Sequence, residues 1–175
     1  MLAQMKPLTS MAEPASSPPP RQSSFVIRAL RAAEAEACEA FCSELDWRDI
    51  SMRFGSRHFS IAHFLPDRDP PTTRISLAAV DAAEMILGIL NLAYLSASSA
   101  EIALIVRTDC KRRGIGRSLV AHAIDWANTH HVSLLVGHVS AENRAALSLA
   151  RAMRFESVKW DSFSVEVRRL LAGGG

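Results

Sequence analysis

The residues that most clearly indicate a binding role form one short stretch, KRRGIG at 111–116. It follows an apolar run and precedes a helical pattern. The first turn of a helix offers unpaired backbone N–H groups and the positive end of the helix dipole, which together bind phosphate. The two glycines have no Cβ, so a ligand can approach the backbone closely. We therefore expect a pyrophosphate site here, with Arg112, Arg113 and Arg117 adding charge at its rim.

The spacing excludes two common phosphate-binding motifs. The P-loop GxxxxGK[ST] is absent, and the dinucleotide fingerprint needs three glycines in GxGxxG and an acidic residue at a second strand end. The alternative interpretation of the stretch is a solvated basic corner before a helix. The surrounding elements have to decide between the two.

Composition limits the class of protein. The chain has 175 residues, enough for one domain, and its net charge of +2 gives no bulk electrostatic case for nucleic-acid binding. Its three cysteines form neither a zinc motif nor an even disulfide set, which predicts free thiols and a cytoplasmic protein. The histidines are scattered, so we expect no metal site. No apolar run approaches the roughly 18 residues that span a membrane, so no membrane partner is expected.

The chain divides into three predicted regions. Residues 1–24 hold five of the eight prolines and predict a disordered Pro/Ser-rich leader, in which Met11 is an alternative start. Residues 25–170 are the predicted domain, and residues 171–175 a flexible glycine tail.

The hydrophobic pattern of the domain predicts strands alternating with helices. Strands are predicted at 25–30, 73–80, 85–95, 100–106 and 132–139 and in the C-terminal runs RFESVKW and SFSVEVRRL. Helices are predicted at 31–45, at 47–65 with a break near Gly55, at 114–130, and at about 141–153 with Ser140 as its cap. A right-handed crossover makes strands 100–106 and 132–139 parallel neighbours, so the fold class is α/β with a mixed sheet.

The loop, the helix and strand that follow it, and ENRAALSLARAMRF at 142–155 together resemble the GNAT superfamily of acyl-CoA N-acyltransferases. The family's loop motif is Arg or Gln, two residues, Gly, any residue, then Gly or Ala, and this chain departs from it at Lys111. The element order also matches. The resemblance implies a central twisted sheet of about seven strands flanked by about four helices, with the fourth and fifth strands splayed apart. ISMRF at 50–54, followed later by AEIALIV and KRRGIG, is most similar to bacterial protein-lysine acetyltransferases.

The resemblance also implies a cofactor and its contacts. The donor is acetyl-CoA or another short acyl-CoA, and no metal is needed. The pantetheine is expected along the backbone of the fourth strand, at Leu104, Ile105 and Val106. The pyrophosphate is expected on the amides of Arg112, Arg113, Gly114, Ile115, Gly116 and Arg117. Asn143 matches a cofactor contact, although a residue that only helps to cap the helix is the alternative.

Two residues are candidates for the general base that deprotonates the acceptor amine. Some family members carry a catalytic Glu where Glu101 lies, and a carboxylate on an apolar strand is expected to have a raised pKa, which suits a base near neutral pH. His138 lies five residues before Asn143, where other members place a Glu, and imidazole titrates near neutrality. The alternatives are a strand-edge Glu facing water and a hydrogen-bonded strand-end His. Of the two bases, Glu101 is preferred.

One departure affects the expected chemistry. Many members carry a Tyr as general acid seven residues after the Asn, and that position is Ala150 here. The one tyrosine of the chain is Tyr94, whose orientation the sequence leaves open. Coenzyme A is an acceptable leaving thiolate, so the loss need not abolish activity.

The leading prediction is an N-acetyltransferase that moves an acetyl group to a primary amine of a protein lysine or a small molecule by direct attack in a ternary complex. The alternative, which Ala150 favours, is a non-catalytic acyl-CoA-binding or sensing domain. A nucleic-acid module built on the basic residues 107–117 lacks interleaved aromatics and is disfavoured. The acceptor and the assembly, a homodimer included, stay open.

Overall fold

The structure is a computed structural model that describes residues 24–56, 59–69, 71–159 and 161–171. The predicted leader lies outside these residues except for Ser24, and the predicted tail except for Leu171. Within this part of the chain, the residues form one sheet with helices on both of its faces.

Seven strands form the sheet within the described chain, in the order β1-β2-β3-β4-β5-β7-β6. They are β1 (Phe25–Ala29), β2 (Arg74–Asp81), β3 (Ile86–Ser96), β4 (Ser99–Val106), β5 (Leu134–Ser140), β6 (Glu156–Lys159) and β7 (Ser164–Leu170). The helices are α1 (Ala35–Ser43), α2 (Trp47–Phe54), α3 (Ile115–Thr129) and α4 (Arg144–Ala152). Strands β4 and β5 are parallel and the other neighbours antiparallel, which confirms the predicted mixed sheet and its crossover.

Each face of the sheet carries its own core. On one face α3 buries the predicted stripe Ile115, Leu119, Ala123 and Ala127, and Ala150 of α4 joins the same cluster. On the other face Phe41 of α1 packs with Phe64 and Ile89, and Phe54 of α2 lies against them. Alternate residues of a strand point to opposite faces, so β4 sends Leu104 toward α3 and Ile105 toward the α1–α2 side.

Two predicted helices begin or end elsewhere than expected. Helix α1 begins at Ala35 rather than at 31, because residues 31–34 form a turn in which the Glu34 carboxylate accepts from the Arg31 N–H at 2.8 Å. The stretch 47–65 is not one helix. Gly55, at φ 65°, ends α2 in the left-handed conformation, which confirms the predicted break, and among residues 56 and 59–65 of the described chain only Ile61–His63 form a helical turn, of the 3-10 type.

The predicted cap of α4 is wrong. Ser140 is the last residue of β5, and its hydroxyl accepts from the Glu142 N–H at 3.3 Å. The cap is Asn143, whose Oδ1 accepts from the Ala146 N–H at 3.0 Å. Strand β5 ends one residue later than predicted, and with Asn143 as the cap the helix begins at Arg144, three residues later than predicted.

The buried side-chain amide of Asn91 holds the segment around Phe64, which packs on α2. Asn91 of β3 donates to the Ser76 Oγ at 2.8 Å and to the Phe64 carbonyl at 3.2 Å. The Phe64 ring in turn meets the Phe54 ring edge-on, with 5.6 Å between centroids. The polar contact in the core thereby fixes where α2 lies on the sheet.

We expect Asn91→Ala to lower the free energy of unfolding by about 1–3 kcal/mol, because two buried oxygen atoms lose their donor. Urea denaturation measures the change. The control is Asn128→Ala on the exposed side of α3, which should stay within about 0.5 kcal/mol of wild type. Equal losses in the two variants would contradict a structural role for the Asn91 amide.

Candidate functional site

The central feature of the site is a gap between two parallel strands. Strands β4 and β5 pair only where Ser99, Ala100 and Glu101 face Leu134, Leu135 and Val136, and then they separate. Gly137 lies where they part, and a Cβ there would be 3.3 Å from the Ile102 carbonyl oxygen. Beyond this point the strands border a cleft of about 590 Å³.

The edge of β4 inside the cleft is open. Strand β4 stays paired with β3 up to Val106, whereas its pairing with β5 ends at Glu101. The residues predicted for the pantetheine, Leu104, Ile105 and Val106, line the cleft along this edge. Backbone groups that face a missing strand can pair with an extended ligand, as in β-strand addition.

The predicted phosphate loop closes one end of the cleft. Arg112 has φ 64° and Gly114 has φ 83°, so the backbone turns sharply before α3 begins. No side chain caps α3 and its first turn carries no acidic residue, so the first N–H groups of the helix keep their hydrogen-bonding capacity. Of the predicted loop residues, Arg112, Gly114, Ile115, Gly116 and Arg117 line the cleft, whereas the Arg113 side chain turns toward the Cys110 sulfur at 3.5 Å.

The two glycines of the loop have different roles. A Cβ at Gly114 would meet no atom within 4 Å, so this position needs glycine for its left-handed backbone. A Cβ at Gly116 would lie 3.2 Å from the Leu149 Cδ2 and 3.4 Å from the Leu104 Cδ2. The expectation that both glycines serve ligand approach is therefore incomplete, since Gly116 also allows α3 to pack closely on α4 and β4.

Lys111, the departure from the family motif, connects the loop to α2. Its Nζ lies 2.5 Å from both carboxylate oxygens of Asp49, and the Thr108 hydroxyl donates to the same carboxylate at 2.6 Å. Asp49 itself lines the cleft. The loop and the helix opposite it are thereby held together across the mouth of the cleft.

The two candidate bases lie side by side near the point where the strands part. The His138 Nδ1 is 3.3 Å from the Glu101 Oε1, and the His138 Nε2 is 3.4 Å from the Glu166 Oε2. Glu166 is buried on β7, with 4% of its surface exposed, and Arg168 donates to its carboxylate. The imidazole therefore stands between two carboxylates.

Glu166 was missed by the sequence analysis. The alternation in SFSVEVRRL places Glu166 and Arg168 on the face opposite Val165 and Val167, but it does not say which residue of β5 lies alongside. That register, in which His138 pairs with Glu166, appears only in the folded sheet.

The remaining predicted site residues are positioned as follows. Asn143 caps α4 through its Oδ1, as the alternative interpretation predicts. The same residue lines the cleft, so it can also contact a ligand. Ala150 also lines the cleft and offers no acidic group. Tyr94 packs edge-on against Trp126 of α3, with 5.8 Å between centroids, and lies outside the cleft lining.

The described residues contain neither a metal-binding cluster nor a helix that could cross a membrane. No group of three or more His, Cys, Asp or Glu side chains is placed to hold a metal ion. No helix in this part of the chain has the length and apolar character needed to cross a membrane.

Comparisons with known proteins give consistent findings. The family model described as "Acetyltransferase (GNAT) family" matches residues 28–155. The GNAT domain of S. lividans PAT is similar at 16% identity and TM-score 0.76, over 89% of this chain and 100% of that one. Spermidine N-acetyltransferase from Vibrio cholerae, in complex with CoA and spermine, gives 18% identity and TM-score 0.65 over 83% and 95%. A GNAT-family acetyltransferase from Streptococcus pneumoniae gives 19% and 0.67 over 85% and 100%. At these identities the likeness to solved structures demonstrates a shared fold.

A thiol in the cleft raises the question of a covalent route. Cys110 lines the cleft and is 2% exposed, and burial raises the pKa of its thiol. Burial also raises the pKa of Cys38 to about 12 and that of Cys42 to about 11. A raised pKa keeps a thiol neutral at physiological pH, and the neutral thiol is a poor nucleophile.

We expect the native protein to react slowly with a disulfide reagent at pH 7.5, because little thiolate is present. The rate should rise with pH into the alkaline range, and unfolding should expose all three thiols. Absorbance of the released aromatic thiol measures both. Fast modification of Cys110 at pH 7.5, or an acetyl group retained on it after incubation with acetyl-CoA, would contradict the assignment of an inert thiol.

Proposed function

Because this chain belongs to the Acetyltransferase (GNAT) family, whose model spans residues 28–155, we propose that it transfers an acetyl group from acetyl-CoA to a primary amine. The acceptor amine belongs to a small molecule or a protein lysine. The observation that carries the proposal is the gap between β4 and β5, with the open loop at one end and the Glu101–His138 pair at its root.

The residues present suit coenzyme A. The uncapped N-terminus of α3 offers amides to a pyrophosphate, and Arg112 and Arg117 add positive charge there. The open edge of β4 at Leu104–Val106 offers backbone groups to the amides of a pantetheine. The V. cholerae neighbour, in complex with CoA and spermine, supports this pairing of a CoA donor with an amine acceptor.

The amine must lose a proton before it can attack the thioester. Glu101 is the proposed base, since it lies on the strand that also borders the pantetheine groove. His138 contacts Glu101 through Nδ1 and Glu166 through Nε2, so it orients the base. A backbone amide of β4 near Val106 is the proposed donor to the thioester oxygen.

Direct transfer in a ternary complex is the route this cleft supports. A covalent acetyl-enzyme would need a reactive nucleophile, and burial keeps the Cys110 thiol neutral. No tyrosine replaces the acid at Ala150 among the described cleft residues, because Tyr94 faces α3. The coenzyme A thiolate therefore leaves without that acid.

The second candidate function is a non-catalytic acyl-CoA-binding domain, which the absence of an acid at Ala150 favours. Release of free thiol from acetyl-CoA, measured over a panel of lysine peptides, polyamines and amino acids, separates the two. Amine-dependent release supports the enzyme. Tight acetyl-CoA binding with no release above hydrolysis for any amine supports the binding domain.

For the loop, we compare Gly114→Asp with Gly114→Asn. Both side chains tolerate the left-handed backbone to a similar degree, but only Asp adds a negative charge where the pyrophosphate is expected. We expect Gly114→Asp to bind CoA at least about tenfold more weakly than Gly114→Asn, since repulsion replaces attraction at the helix N-terminus. Titration calorimetry measures both, and equal affinities would count against the phosphate site.

For the base, we expect Glu101→Gln to lower kcat by about 10²–10⁴, the usual loss when a general base is removed, with CoA affinity little changed. His138→Ala should cost about tenfold, because it removes orientation rather than the base. The reverse pattern, an inactive His138→Ala beside a normal Glu101→Gln, would move the base to His138.

A further inference from the structure

Arg53 is a cationic side chain of the cleft that forms no ion pair with the described residues. Arg53 lies in the last turn of α2 and lines the cleft. Its Nε is buried without a hydrogen-bond acceptor, and no ion pair of the described residues includes its guanidinium. Its Cζ stands 4.7 Å from the centroid of the Phe54 ring. Arg74 is the other described arginine with a buried, unpartnered Nε, but it does not line the cleft.

Two other cations near the cleft are already paired within the protein. Lys111 pairs with Asp49, and Arg168 pairs with Glu166. Burial lowers the pKa of Arg53 to about 10, and the charge of Glu101 acts in the opposite direction. Glu101 contacts His138, which lines the same cleft as Arg53, and Glu101 and Arg53 form no direct ion pair. The side chain as a whole is only partly buried, but its buried Nε has no acceptor, so a ligand anion that accepts from this Nε would remove the cost of the unmade hydrogen bond.

Arg53 and Glu101 together define a dipolar recognition site. A carboxylate matches the planar fork of a guanidinium and forms two parallel hydrogen bonds with it. An ammonium group is attracted to Glu101, where the proposed reaction needs the amine. A ligand with both groups a few bonds apart would satisfy both side chains, whereas a polyamine would bring a second cation against Arg53.

We infer that the acceptor is an amino acid, whose amine lies beside Glu101 and whose carboxylate is bound by Arg53. This inference rests on the proposed acetyl transfer and names its substrate class. It separates this chain from the spermidine N-acetyltransferase that shares its fold.

The test compares each amino acid of a panel with its own carboxamide, which keeps the amine and removes the negative charge. Steady-state acetylation is followed by thiol release, with spermidine as a polycationic acceptor. We expect at least one amino acid to exceed both its carboxamide and spermidine in kcat/KM by about 10-fold or more, since a charge-assisted pair is lost. In Arg53→Gln the preference for the carboxylate should disappear, and in Arg53→Lys it should be partly kept, with the KM for acetyl-CoA unchanged in both.

The outcomes separate the inference from the proposed function. Acetylation of carboxamides or spermidine as efficiently as of amino acids overturns the inference and leaves acetyl transfer intact. A rise in the KM for acetyl-CoA in Arg53→Gln, without a change in acceptor preference, also overturns it. No acetylation of any amine overturns both. If Arg53→Gln does not fold, the comparison of each acid with its amide in the wild-type protein decides alone.

Discussion

The parting of two parallel strands is the constraint on which the rest of the site depends. Pairing between β4 and β5 stops after Glu101 and Val136, although β4 continues to pair with β3 on its other side. The sheet therefore contains an unpaired edge in its middle rather than at its border. Backbone groups at such an edge have no strand to pair with, so an extended ligand can form the hydrogen bonds that a neighbouring strand would have formed.

The elements around the gap distribute charge along its length. The end near α3 offers backbone amides and exposed arginines, whereas the root holds Glu101 and His138. Helix α2 borders the cleft, because Asp49 bonds to Lys111 of the loop and Arg53, one turn further along, also lines the cleft. Phe64, held by Asn91, supports the far end of the same helix. One short helix thus links the proposed donor site with the proposed acceptor site.

Local patterns predicted most of the fold. Alternating and helical periodicities identified seven strands and four helices, and the crossover rule identified the parallel pair. The predicted starts of two helices were wrong because a side-chain hydrogen bond sets each of them. Glu34 forms this bond in the turn before α1, and Asn143 forms it at the cap of α4. Periodicity does not register such single hydrogen bonds.

Spacing alone predicted the site only where its residues are adjacent in sequence. The loop 111–117 is contiguous, so its spacing was readable, and Glu101 and His138 were found separately through the family resemblance. Glu166 depends on the register of β7 against β5, and Arg53 on how α2 is rotated toward the cleft. Both are long-range facts of packing that no local pattern encodes.

The most direct measurement is amide hydrogen exchange in the presence and absence of acetyl-CoA, resolved to β4 and to the loop. A cofactor that pairs with the open edge should slow exchange within Leu104–Val106, and one that seats its pyrophosphate on α3 should slow exchange within residues 112–117. Protection in both segments is the predicted result. The contradicting result is that acetyl-CoA binds and stabilises the protein but leaves the exchange of the β4 amides unchanged. The gap between β4 and β5 would then not be the cofactor site.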